Sequence, residues 1–151
     1  MFASAARRVA LIGLALVLLP ALAAAQPENV KTVEGADGEQ TTLTAQPHAL
    51  AEGLSVRALA VSAPGGTRWA LSLIGSAPDD SIALHYGDEV LSIEDVKRPE
   101  DGIGPTRVYV SASAFRTMAE TATVRLTVGG TTATLPEQLR REMTVILERA
   151  T

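Results

Sequence analysis

The chain of 151 residues carries no cysteine, only two histidines and a formal net charge of −4. A length of this order suits one domain. The acidic balance excludes the Lys/Arg-dense surface that nucleic acid and anionic lipid require, and the missing thiols exclude disulfides, thiolate zinc sites and cysteine nucleophiles.

Residues 1–25 read as a signal peptide. Arg7 and Arg8 form a positive start, residues 9–19 are unbrokenly apolar, Pro20 interrupts them, and Ala23-Ala24-Ala25 precedes Gln26. These are the three parts of a secretory leader with a small-x-small cleavage site. A membrane anchor needs roughly 20 consecutive apolar residues, which this run does not supply. Without cysteine there is no lipoprotein anchor either. Cleavage after Ala25 is expected to leave 126 residues and, with both arginines gone, a net charge of −6. The mature protein is thus expected in the periplasm or outside the cell, without membrane insertion. Arginine outnumbers lysine eleven to two among many Ala, Thr and Gly, the usage expected of a GC-rich bacterial genome.

Residues 26–40 (QPENVKTVEGADGEQ) are polar and rich in turn formers, and read as a flexible leader or at most a loose hairpin turning at Asp37-Gly38. A single β-rich domain is expected over 41–151. Residues 54–62 read as a strand, turned by Pro64-Gly65-Gly66 into 68–74, where Trp69, Leu71 and Leu73 share a face. After a loop at 76–80, Ile82, Leu84 and Tyr86 share a face, and Gly87-Asp88 turns the chain into a strand with Leu91 and Ile93 together. A second loop, 98–106, holds two prolines and two glycines, and then Val108 and Val110 point inward.

Ser111 or Ser113 caps a short helix carrying Phe115, Met118 and Ala119. Residues 123–128 alternate strictly, with Val124, Leu126 and Val128 on one side, and Gly129-Gly130 turns them into TTATL. A helix is predicted over 136–150, with Pro136 at its start and Leu139, Met143, Ile146 and Leu147 in one stripe. Glu137 is placed to pair with Arg141. The stripe is expected to cover the face bearing Val124, Leu126 and Val128. The fold class is therefore α+β, mainly β: an antiparallel meander sheet with a short inserted helix and a C-terminal amphipathic helix packed on one face.

Candidate chemistry is sparse. His85 sits on a strand with Asp79, Asp80 and Asp88 at its ends, and Ser72 or Ser92 could share its face, the ingredients of a His–Asp–Ser hydrolase. No G-x-S-x-G elbow accompanies them, so an exposed strand histidine is the preferred reading. His48 lies in a loop context with no metal-ligand spacing to His85. The adjacent acid pairs 79–80, 88–89, 94–95 and 100–101 point apart on extended backbone and chelate calcium poorly. The paired glycines are turns, not phosphate loops. Trp69, Tyr86 and Phe115 are assigned to the core and Tyr109 to the surface. No catalytic, cofactor-binding or metal-binding residue is therefore assigned, and no cofactor is expected. The expected function is non-enzymatic: protein binding or assembly support, with an envelope or extracellular protein as partner and no nucleic acid. Two alternatives accompany it. One is a carrier of a small apolar ligand between the sheet and the C-terminal helix, with room left by Ala58, Ala60 and Ala133; the other is a hydrolase using His85.

Overall fold

A computed structural model describes residues 29–151. The expected signal peptide and its cleavage site lie outside the described residues. The elements follow in chain order as β1 (Val30–Glu34), β2 (Gln40–Thr44), β3 (His48–Ala51), β4 (Leu54–Ala63), β5 (Gly66–Ile74), β6 (Ile82–Tyr86), β7 (Glu89–Leu91) and β8 (Ile93–Lys97). Then come β9 (Thr106–Val110), α1 (Ala112–Glu120), β10 (Val124–Val128), β11 (Thr131–Thr134) and α2 (Glu137–Ala150). The fold is mainly β with antiparallel pairing, one short inserted helix and one C-terminal helix, as the hydrophobic pattern predicts.

The strands are divided between two sheets. The larger has the order β1-β2-β4-β5-β9-β8, with β3 also paired to β4. Strand β4 is long enough to serve two partners along one edge: residues 59–62 pair with β2 and 54–56 with β3. The smaller sheet runs β11-β10-β6-β7. Only Ser92 separates β7 from β8, so one run of chain edges both sheets.

One face of the large sheet builds the core with the helices and the small sheet. Ala58 and Ala60 lie opposite Leu71 and Trp69 in register, and all four are buried. These small side chains on β4 let α2 lie close against that strand. Trp69 meets Phe115 of α1 at 5.1 Å between ring centroids, which ties α1 to β5. Helix α1 begins where the Ser111 hydroxyl accepts the Ala114 amide at 3.1 Å. Helix α2 begins one residue later than predicted, with Pro136 in the capping position, and its Glu137 pairs with Arg141. Among the described residues, no helix is long and apolar enough to cross a membrane.

Four expectations are corrected. Residues 30–40 are not a flexible leader but the hairpin given as its alternative: β1 pairs with β2 over five positions, from Val30↔Thr44 to Glu34↔Gln40, and the turn at Ala36–Gly38 includes the expected Asp37-Gly38. Burial of Val30 and a bond from the Arg149 guanidinium to the Val30 carbonyl at 2.9 Å outweigh the polar composition. Helix α2 lies on β4, β2 and β1 beside α1, not chiefly on β10. The Val124, Leu126 and Val128 face joins the same core from the small sheet. Tyr86, at a strand end next to a turn, is 39% exposed rather than core. Tyr109 does point away from the main core, yet it is only 4% exposed.

Two glycines make the corners possible. Gly75 has φ +94°, and a Cβ there would fall 1.9 Å from the Gly53 carbonyl oxygen. Gly129 has φ +59°, and its Cβ would meet the Asp80 carboxylate at 2.6 Å. Any other residue would push these turns apart.

Candidate anion-binding face

The residues that suggested hydrolysis do not converge. His85 is half-buried on β6, opposite Arg125 of β10 and Val90 of β7. Ser72 belongs to the other sheet and Ser92 to the link between sheets. Asp80 is engaged locally, its carboxylate accepting the Ala77 amide at 2.7 Å and its carbonyl accepting Arg98 at 2.5 Å. Among the described residues, no group of three or more His, Asp or Glu side chains converges on one point.

His48 has a partner that its sequence position did not announce. It opens β3, and its Nε2 lies 2.6 Å from Oε2 of Glu142, a residue of α2 with no solvent exposure. The same oxygen accepts Asn29 Nδ2 at 3.1 Å, and Oε1 accepts Gln138 Nε2 at 3.2 Å. Asn29 in turn accepts the Gln46 amide on its side-chain oxygen at 2.7 Å. A buried carboxylate needs such a full set of donors. The cluster fastens the start of β1, the β2–β3 turn and α2 to one another. It contains an acid and a base but no hydroxyl nucleophile, so its chemistry is that of a latch.

The outer face of the large sheet, away from the helices, is built differently. Side chains alternate along each strand, so the inward Trp69, Leu71 and Leu73 leave Arg68, Ala70 and Ser72 pointing outward. Cross-strand register then lines up two rows. One row is apolar: Leu43↔Leu59, Leu59↔Ala70 and Ala70↔Tyr109. Leu59, Ala70 and Tyr109 form their own small buried cluster. Its cover is cationic, with the Arg68 guanidinium carbon 3.8 Å and Lys97 Nζ 5.7 Å from the Tyr109 ring centroid.

The second row is Arg57↔Ser72, Ser72↔Arg107 and Arg107↔Lys97, three cations across four neighbouring strands. Like charges directly opposite on a sheet destabilise it. Among the described residues, none of these three cations makes an ion pair. Arg57 Nε is buried without a hydrogen-bond partner. Arg68, by contrast, pairs with Asp95 at 3.6 Å, where both side chains are about half exposed. Two hollows open on this face. One, of about 440 Å³, is lined by Val61, Arg68, Lys97, Arg107, Tyr109 and Glu39 among others. The other, of about 560 Å³, lies between Arg57 and Ser72 on the strands and Ile103 and Pro105 on the 98–105 loop.

This surface is invisible in the net charge of the chain. A net negative protein can still gather cations by strand register, and register between distant strands is not written in any short stretch. The usable signal was the outward position of Arg57, Arg68 and Arg107 beside inward apolar neighbours.

No family model matches the chain, and no curated protein or solved structure matches it.

Proposed function

We propose that the chain is an exported, non-enzymatic domain of the periplasm or the extracellular space that works by binding another protein or supporting an assembly. The outer face of the large sheet is its contact surface. The observation that carries this reading is the Arg57–Ser72–Arg107–Lys97 row, three cations without carboxylate partners in an acidic chain. Cationic side chains left unpaired over a buried apolar row suit the steering and docking of an acidic surface. The leader pattern at 1–25 supports export. Neither outer-face hollow involves His85, and the space under α2 is filled by Val56, Leu139, Met143 and Ile146. Support therefore gathers on binding rather than on hydrolysis or on carriage of an apolar ligand.

The test is cross-linking in cells that export the full chain, with a photo-reactive residue placed at the exposed Ile103, beside Arg57 and Ser72, and, as control, at Thr144 on the exposed side of α2. A discrete protein adduct is expected from position 103 alone, and Lys97→Glu with Arg107→Glu should abolish it. Intact mass of the exported product should give a chain beginning at Gln26. Adducts of equal yield from both positions, or none from position 103, would remove the basis for this reading.

A further inference from the structure

We infer that the hollow floored by Arg57 and Ser72 is a carboxylate subsite for an acidic peptide segment that also carries branched apolar residues, with Arg107 and Lys97 receiving a second carboxylate. This rests on the binding-module reading above and names the partner's chemistry. Arg57 lines this hollow and, among the described residues, makes no ion pair, so its guanidinium is free to receive an incoming carboxylate. Ser72 is directly cross-strand from both Arg57 and Arg107, so its hydroxyl sits between two cationic positions about 10 Å apart at two strand spacings. Acids two residues apart on an extended peptide lie about 7 Å from each other on one side, a span that glutamate stems can stretch to match.

The wall of the hollow sets the second requirement. Ile103, 79% exposed, and Ile74, 38% exposed, line it together with Pro105. Ile103 is the most exposed large apolar side chain among the described residues. An anion with no apolar side chains would leave this wall wet. Glu39 lines the neighbouring hollow, and Asp95 lies opposite Tyr109 on the same face. These two carboxylates repel a continuous polyanion but tolerate separated acids, which favours a peptide over a nucleic acid or an acidic polysaccharide.

The experiment is fluorescence anisotropy on the mature chain with a labelled hexapeptide of alternating Glu and Val. Glu–Gly and Lys–Val hexapeptides, together with polygalacturonate, serve as competitors. The Glu–Val peptide is expected to bind, and more weakly as ionic strength rises from about 0.05 to 0.5 M. Arg57→Ala and Arg107→Ala should each weaken it about tenfold or more, the scale of one lost charge-assisted contact. Arg57→Lys should retain part of the affinity, and Arg116→Ala on the opposite side of the sheet should leave it unchanged. Circular dichroism melts of each variant confirm that the fold persists. The inference is overturned by absence of binding, by indifference to Arg57→Ala and Arg107→Ala, or by equal competition from the Glu–Gly peptide or polygalacturonate. A cross-link from position 103 that survives while the peptide fails leaves the binding module standing and removes only this subsite. Loss of both removes both.

Discussion

At the scale of the residue, Glu142 is the most instructive position. It lies three residues after Leu139 and four before Ile146, squarely inside the apolar stripe of α2, and it is fully buried. An acid on the core side of a helix is a signal in its own right, because burying a carboxylate demands donors. What the sequence could not reveal is where those donors lie: Asn29 and His48 are 113 and 94 residues away. Removing the carboxylate strands three donors at once. Glu142→Ala is therefore expected to cost about 1–3 kcal/mol, the range for leaving buried donors unsatisfied. Glu142→Gln, which keeps the shape and one acceptor, should cost less. Arg141→Ala, on the exposed side of the same helix, should stay within about 0.5 kcal/mol. Urea unfolding of the three variants checks the order; equal stability of Glu142→Ala and parent would show that the latch bears no load.

At the scale of the element, α2 was legible and its seat was not. Leu139, Met143, Ile146 and Leu147 recur at helical spacing, and three of the four are fully buried. A stripe declares that something must cover it without saying what. The covering partners are β4, β2 and β1, and β1 falls in a stretch whose composition reads as leader. Its order comes from tertiary contacts, namely the buried Val30, the β2 ladder and the Arg149 bond, which local composition does not encode. Leu139→Ala and Ile146→Ala should each cost about 2–5 kcal/mol, as large-to-small changes in a packed core do. Deleting residues 137–151 uncovers three strands and should abolish cooperative thermal unfolding. Arg141→Ala, on the exposed side of the helix, serves as the surface control. A deletion that melts cooperatively near the parent temperature would make α2 an appendage.

At the scale of the whole molecule, alternation and turn residues give mainly antiparallel β structure with two helices, but not the division into two sheets. That division depends on the corner at Gly75, where the chain leaves β5 for β6, and on the passage through Ser92 from one sheet to the other. Each is a long-range event that a single strand's pattern does not contain. The outer face has the same origin, since Arg57, Ser72, Arg107 and Lys97 come from four strands and meet only through register. On the binding reading proposed above, this row serves contact with a partner and not the fold. Residues held against stability for the sake of function give stability back when they are neutralised. Thermal unfolding of the Lys97→Gln, Arg107→Gln double variant, which keeps most of each stem and removes both charges from a directly cross-strand pair, decides between the two roles. The expected melting temperature is equal to or above that of the parent at low salt, with any gain shrinking as salt is added. A melting temperature several degrees below the parent would contradict it, because the row would then be part of what holds the sheet together.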